Sequence, residues 1–194
     1  DEKNILFVGR LEPLKGLDVL FRAVAALEDL DNITLSIVGG AENSPEKTRL
    51  QALATRMKLT QNVRFVGSVN QDELPLHYNA ADVCVLPSHY ESFGLAALEA
   101  AACGRPVVAS KVGGLPTIVL NGSTGFLVEP KHSDIMAERL CELLADDMLR
   151  SRMGSAARAH AETLGWDRAA DALLNRYSEM VPAQNPSAVP AAGG

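Results

Sequence analysis

The chain has 194 residues, with 18 lysines and arginines against 24 aspartates and glutamates, so its formal net charge is -6. Hydrophobic residues make up 47% and charged residues 22%, a globular composition that excludes disorder over the whole length and suits one domain. The acidity argues against nucleic-acid binding, which needs a basic surface, and no apolar run reaches the ~18 residues of a membrane span.

The chain begins at Asp1 without an initiating methionine and enters an apolar run at once, with no signal peptide. We therefore expect a piece of a longer, cytoplasmic protein. Three cysteines lie far apart in apolar runs without forming a Cys-x-x-Cys pair, which favours buried free thiols in a reducing compartment. They are Cys84, Cys103 and Cys141.

Short apolar runs alternate with longer helical patterns along the chain. The apolar runs predict six strands, at 5–8, 33–38, 63–66, 83–86, 107–109 and 125–128. Apolar residues at helical spacing predict helices at 17–30, 45–58, 71–79, 93–102, 134–144, 147–160 and 166–180. The uncharged, proline-containing segment from Pro182 onward predicts a flexible tail at 182–194 after a single domain at 1–181.

The alternation of strands and helices predicts an α/β fold: a Rossmann-like, doubly wound parallel sheet of about six strands with helices on both faces. The predicted strands are continuous apolar runs, as expected for strands buried on both faces. Because ligands bind beyond the carboxyl ends of the strands in such folds, the loops after the strands are the expected site.

The loop after the first strand, 9–16, carries two cations, Arg10 and Lys15. They lie at a turn that opens a helix, where free N–H groups already favour anions. A planar guanidinium and a compact ammonium together suit a diphosphate, although two solvated surface cations are the alternative. Neither a Walker loop nor a Gly-x-Gly-x-x-Gly motif occurs.

The loop after the fourth strand, 87–95, leads into an alanine-rich helix. Ser92 is predicted to cap a helix that begins near Phe93, and Gly94 allows a ligand to approach the backbone closely. The N–H groups of Phe93, Gly94 and Leu95 are then expected to point above the sheet.

Two carboxylates belong to the same segment. Glu91 precedes the predicted helix and Glu99 lies two turns into it, so that about 12 Å of helix rise separates them. That spacing is too long for a shared metal but suits opposite ends of a polyhydroxylated ligand. For Glu91, the alternative to a binding role is an acidic residue that the helix dipole favours. Glu99 stands among leucines and alanines, where burial without a partner is costly.

Other signals are weaker. Arg64 lies near a short polar loop that suits a base edge, but a surface charge explains it equally well, and His89 is a weaker candidate beside the crevice. No His-x-His, His-Glu-x-x-His or Cys/His cluster predicts a metal, and no Gly-x-Ser-x-Gly elbow predicts a serine hydrolase.

An ordered set of motifs resembles the retaining glycosyltransferases of group 1 (family 4), which have the two-domain GT-B architecture. The set comprises Arg10 with Lys15-Gly16, the Glu-x7-Glu pair Glu91 and Glu99 around Ser92-Phe93-Gly94, and segments 102–109, 112–114 and 122–128. It covers about 4–180 and is most similar to the sucrose-phosphate synthase and D-inositol-3-phosphate glycosyltransferase branch. Because the motifs begin at the first strand of the second GT-B domain, the resemblance implies the C-terminal, donor-binding half without its N-terminal domain.

The resemblance also implies residue roles. Arg10 and Lys15 would neutralise the donor diphosphate, Glu91 would bind sugar hydroxyls near the reacting carbon, and Glu99 would bind the ribose hydroxyls. The implied catalytic residues are Glu91, Arg10 and Lys15. The implied donor-binding residues are Gly9, Arg10, Lys15, Arg64, Val66, Glu91, Phe93, Gly94, Leu95 and Glu99.

The implied reaction is transfer of a hexose from a nucleotide-diphospho-sugar, with UDP-hexose preferred, to an acceptor hydroxyl with retention. The full-length protein would be a hexosyltransferase of class EC 2.4 without a metal or other cofactor, and the chain alone would bind the donor without turning it over. The implied partners are the nucleotide sugar and the missing N-terminal domain, while peripheral membrane contact of the full-length protein stays open. The alternative is a nucleotide-sensing or interaction module without catalysis.

Overall fold

The computed structural model describes residues 2–28 and 30–180. The chain divides into two compact units, one ending at Glu162 and the other beginning at Thr163. Helix α8, Trp166–Met180, is the described helix of the second unit. The single domain at 1–181 stays a prediction, and the tail at 182–194 lies outside the described residues.

Six parallel strands form one sheet in the described part of the chain. Their order across the sheet is β3-β2-β1-β4-β5-β6, and β1 pairs with β2 over its whole length, from Lys3 opposite Ile33 to Val8 opposite Val38. The order reverses between β1 and β4, which makes the crevice at their carboxyl ends the topological switch point. The strands are β1 Lys3–Val8, β2 Ile33–Val38, β3 Val63–Gly67, β4 Val83–Leu86, β5 Val107–Ser110 and β6 Gly125–Val128.

The helices of the first unit follow the predicted alternation, with one addition. A short helix, α5, forms between β5 and β6, where no helix was predicted. They are α1 Leu17–Ala25, α2 Pro45–Arg56, α3 Leu74–Ala80, α4 Leu95–Ala102, α5 Leu115–Ile118, α6 Ser133–Ala145 and α7 Asp147–Glu162, with 3-10 turns at Pro13–Lys15, Leu30–Asn32 and Gln71–Glu73.

Five predicted helix boundaries differ from the structure by two or more residues: α1 and α2 end earlier, α3 and α4 begin later, and α7 ends later. Helix α1 ends at Ala25 rather than 30, because Ala26 and Leu27 bond the carbonyls three residues back. Leu27 is nevertheless buried. The apolar spacing therefore predicted the buried positions correctly but the length of the helix incorrectly. Helix α4 begins at Leu95 rather than 93, as described below.

Burial confirms that both faces of the sheet are covered. Successive strand residues point to opposite faces, and Ile5, Leu6 and Phe7 of β1 are each at most 1% exposed. Each such side chain contributes roughly 1.5–3 kcal/mol by leaving water. The doubly wound parallel fold class is therefore confirmed, and β1 and β4 lie side by side in the sheet.

The three free cysteines differ in burial. Cys84 on β4 is buried and Cys103 is half-buried, but Cys141 is exposed, which makes the prediction of a buried thiol wrong there. Cys141 follows the buried Leu140 on α6, and the next helix position turns away from the core. Within the described residues, no helix combines the length and apolar character needed to cross a membrane.

Candidate functional site

A cavity of about 330 Å³ opens at the carboxyl ends of β1 and β4, at the predicted switch point. It brings together the four charged residues that the sequence singled out: Arg10, Lys15, Glu91 and Glu99. The lining residues are Phe7, Val8, Gly9, Arg10, Lys15, Leu86, Ser88, Glu91, Leu95, Ala96 and Glu99.

The loops after β1 and β4 are held together through their backbones. The N–H of His89 donates to the carbonyl of Leu14 over 2.8 Å. Gly16 has φ 67° and lies so close to Pro87 that a Cβ would overlap the Pro87 carbonyl oxygen. Because only glycine allows this approach, it holds the neighbouring Lys15 beside the loop after β4.

Lys15 and Glu91 form an ion pair across these loops. The distance from Lys15 Nζ to Glu91 Oε2 is 2.7 Å, and the two side chains are 20% and 15% exposed. The loop after β5 supports Glu91 from behind, since the Gly114 N–H donates to the Glu91 carbonyl and a Cβ on Gly113 would overlap that oxygen. Three loops therefore meet at Glu91.

Glu99 has a different partner, which sequence reasoning missed. The hydroxyl of Tyr78, on α3, donates to Glu99 Oε2 over 2.8 Å, and Tyr78 is 1% exposed. Burial, and then the hydrogen bond to the carboxylate, raise the pKa of Tyr78 far above its ordinary value, so the phenol keeps its proton. A buried tyrosine needs a hydrogen-bond partner for its hydroxyl, and this requirement is the sequence signal that could have predicted the contact.

Arg10 lies on the open side of the cavity. Its guanidinium pairs with Glu12 at 2.8 Å, and the side chain is 79% exposed. Since an exposed ion pair of this kind contributes at most ~1 kcal/mol, Arg10 is readily available to an anion.

The start of α4 corrects the predicted cap. Gly94, not Ser92, is the N-cap residue, with φ 96°, and the helix begins at Leu95. A Cβ on Gly94 would come within 2.7 Å of a Leu115 methyl carbon, so both the left-handed backbone and the packing require glycine. Leu95 and Ala96 line the cavity as the first two helical residues, whose N–H groups have no partner within the helix.

Other predicted donor-binding residues lie outside the cavity lining. Phe93 is exposed and Gly94 is buried beside Leu115, while Arg64 and Val66 belong to β3, two strands away from β1. Their contact with a donor stays a prediction.

A buried serine was also missed. Ser88 lines the cavity and is 1% exposed, and its Oγ has no hydrogen-bond partner in the structure. Its position two residues after a wholly apolar strand was its sequence signal. His89 Nδ1 likewise has no partner, and its Nε2 is 3.8 Å from Asp18. Across 2–28 and 30–180, no three His, Cys, Asp or Glu side chains are placed to ligate one metal ion.

Residues 1–160 match the model of the family Glycosyl transferases group 1. A curated relative, the D-inositol 3-phosphate glycosyltransferase of Streptomyces bingchenggensis (strain BCW-1), is 46% identical over 183 residues. The match covers 91% of this chain and 40% of the relative, so the chain spans less than half the length of that protein.

Two solved structures share the fold over nearly the whole chain. Sucrose-phosphate synthase from Thermosynechococcus elongatus superposes with a TM-score of 0.85 at 36% identity, covering 93% of this chain and 46% of that protein. Anabaena HepE in complex with UDP-glucose gives a TM-score of 0.80 at 28% identity, covering 93% and 50%. Together with the family match, these likenesses show that the chain belongs to the group 1 glycosyltransferases, as the Rossmann-like C-terminal domain of their GT-B architecture.

Proposed function

We propose that this chain binds a nucleotide-diphospho-sugar, with UDP-hexose as the preferred donor, and serves as the donor half of a retaining hexosyltransferase. One observation carries the proposal: Arg10, Lys15, Glu91 and Glu99 line a single cavity at the switch point of the sheet. Two cations suit a diphosphate, and two carboxylates suit the hydroxyls of the two sugars attached to it.

The diphosphate would lie against Arg10, Lys15 and the start of α4. The first N–H groups of a helix and its dipole favour an anion, and Leu95 and Ala96 supply those groups beside the two cations. As the sugar leaves, negative charge grows on the diphosphate, and fixed cations stabilise that charge where it develops. Glu91 would bind hexose hydroxyls near the reacting carbon, and Glu99 the ribose hydroxyls.

The choice of a uridine nucleotide rests on similarity to a solved structure. The Anabaena neighbour is described in complex with UDP-glucose, which supports a uridine donor. Arg64 and Val66 remain proposed contacts to the base edge, although β3 is two strands from β1.

In the proposed reaction, the bond between the anomeric carbon and the diphosphate oxygen breaks while the acceptor oxygen bonds to that carbon on the same face. The acceptor proton passes to the departing diphosphate, so that no protein nucleophile and no metal ion take part. The chain covers 40% of its curated relative, and we place the acceptor site in the part it lacks. The isolated chain is therefore proposed to bind the donor in the cytoplasm without turnover.

Calorimetric titration of the 194-residue chain with UDP, GDP, ADP and UDP-glucose tests this proposal. We expect UDP-glucose to bind, and Arg10→Ala to weaken that binding about tenfold, because a cation facing the diphosphate is lost. Arg56→Ala, at the exposed end of α2, is the matched control and should change nothing.

Four outcomes would contradict the proposal. Absence of binding by every nucleotide, or unchanged affinity in Arg10→Ala, would remove the donor site. Equal binding of UDP and UDP-glucose that ignores Glu91→Ala would favour a nucleotide sensor. Measurable hexose transfer by the isolated chain would overturn its assignment as an inactive half.

A further inference from the structure

We propose that Tyr78 is a positioning residue that holds Glu99 for the ribose, so that the pair makes the site select ribonucleotides over deoxyribonucleotides. This inference rests on the proposed function, because it assigns a detailed role within the same cavity. Tyr78 lies outside the cavity lining and acts through Glu99, which lines the cavity.

The geometry places the phenol on the protein side of the carboxylate. Tyr78 lies on α3 and is almost fully buried, and its hydroxyl reaches Glu99 Oε2 at 2.8 Å. Glu99 is half-buried in the second turn of α4 and lines the cavity. The carboxylate therefore has a fixed donor on one side and the open cavity on another.

The chemistry of the two groups makes the arrangement directional. A buried phenol that keeps its proton always donates, so it occupies one lone pair of Glu99 without competing for a ligand. An ionised carboxylate offers about four acceptor positions over its two oxygens, which leaves capacity for a second donor. Adjacent ribose hydroxyls supply two such donors, whereas a deoxyribose supplies one or none.

Positioning also explains how a carboxylate is tolerated in an otherwise apolar helix. Segment Leu95–Ala102 contains leucines and alanines apart from Glu99, and an unpartnered half-buried charge there is costly. The hydrogen bond from Tyr78 offsets part of that cost and fixes the side-chain direction at the same time. A carboxylate held in place loses less conformational entropy when a ligand binds.

The decisive variant is Tyr78→Phe, which removes the hydroxyl and keeps the ring. Calorimetry on the 194-residue chain compares UDP with 2′,3′-dideoxy-UDP. We expect UDP to bind about tenfold more weakly, because Glu99 loses the fixed orientation in which it accepts from the ribose hydroxyls and must be ordered when the ligand binds. The dideoxy nucleotide should change by less than about twofold, because it lacks the hydroxyls that Glu99 accepts from. The ratio of the two affinities should therefore fall.

Two controls isolate the role of the hydroxyl. Tyr177→Phe, an exposed tyrosine on α8, should leave both affinities unchanged. In a Glu99→Ala background, Tyr78→Phe should have no further effect on the ratio, as expected for residues that act as one unit. Each ligand is titrated separately into the same preparation of a variant. The ratio of the two affinities therefore does not depend on the fraction of the variant that folds.

The outcomes separate this inference from the proposed function. If Tyr78→Phe weakened both nucleotides equally, or weakened neither, the ratio of affinities would stay unchanged. Tyr78 would then only support the fold, and the positioning role would be overturned. If Glu99→Ala left UDP binding and the ratio unchanged, the proposed ribose contact itself would fail. If the wild-type chain bound no nucleotide, the donor site would fail as a whole and the inference with it.

Discussion

The two carboxylates of the cavity differ in how they are held. Glu91 is paired with Lys15, a cation from another loop that is itself a proposed ligand for the diphosphate. Glu99 is paired with Tyr78, a buried neutral donor that lies outside the cavity lining. We call these the Lys15–Glu91 pair and the Tyr78–Glu99 pair.

The difference has a consequence for binding. In the proposed complex, a diphosphate that reaches Lys15 would compete with Glu91, so the first pair would have to exchange partners when a donor enters. The second pair would need no exchange, because Tyr78 would keep its bond while Glu99 accepts from the ligand. One carboxylate would thus be released by binding, whereas the other is already in position.

The largest effect should come from breaking the frame around the Lys15–Glu91 pair. In Gly113→Ala, the new Cβ overlaps the carbonyl oxygen of Glu91, at a residue whose φ is 51°. We expect a loss of about 3 kcal/mol or more in the free energy of unfolding, because backbone must move. Urea unfolding measures it. Gly122→Ala has φ 77° and open space around it, so it should lose only ~1 kcal/mol. Equal losses in the two variants would contradict the close packing.

Next in size is Lys15→Ala, which removes the cation and leaves Glu91 facing the incoming phosphates. We expect UDP affinity to fall about 100-fold, or ~2.7 kcal/mol, because attraction is replaced by repulsion. Calorimetry checks this, with Lys111→Ala as the control, since Lys111 is exposed and outside the cavity lining. A loss below about fivefold would mean that Lys15 serves the ion pair alone.

Glu99→Ala should separate the two pairs by stability. It leaves the buried Tyr78 hydroxyl without its acceptor, which costs about 1–3 kcal/mol. The matched variant Glu91→Ala leaves the Lys15 ammonium beside the cavity, where water can replace the carboxylate, and should therefore cost less, about 1 kcal/mol. At roughly 2–4 °C per kcal/mol, thermal melting resolves the difference. If Glu91→Ala lowered the melting temperature more, the description of the two pairs would be reversed.

The smallest expected effect is a change in UDP affinity whose direction tests the Lys15–Glu91 pair. Glu91→Gln removes the charge that competes for Lys15, so UDP should bind about three- to tenfold more tightly, by ~1 kcal/mol. UDP-glucose should gain less, because the amide is a weaker acceptor for hexose hydroxyls. Titration with both ligands measures this difference. Weaker binding of UDP by the variant would show that Glu91 does not compete with the diphosphate.

Much of the fold could be predicted from the sequence because the strands are buried on both faces. Val83–Leu86 of β4 is apolar at every position and buried at every position, so composition alone marks it. Helix boundaries were less predictable. Ser92 is a good cap by residue type, yet the approach of Gly94 to Leu115 on α5 moves the helix start to Leu95. That contact joins residues about 20 positions apart and leaves no local signal.

The candidate site shows the same division. Arg10, Lys15, Glu91 and Glu99 were predicted to lie together because parallel strands end at one edge of the sheet, and they do line one cavity. The resemblance also implied Arg64 as a donor-binding residue, but Arg64 lies on β3, two strands from β1. The order of strands in the sheet sets that separation, and the residue type gives no information about it.

The sequence by itself determined the parallel sheet, the edge at which the cavity opens and the charged residues gathered there, because these depend on local apolar runs and on which loops follow the strands. Only the tertiary structure decided the partners. Lys15 meets Glu91 because glycine lets two loops touch at Gly16, and Tyr78 meets Glu99 because two helices pack on the sheet. Hydrogen bonds and ion pairs form between groups within about 3 Å in space, whatever their separation along the chain.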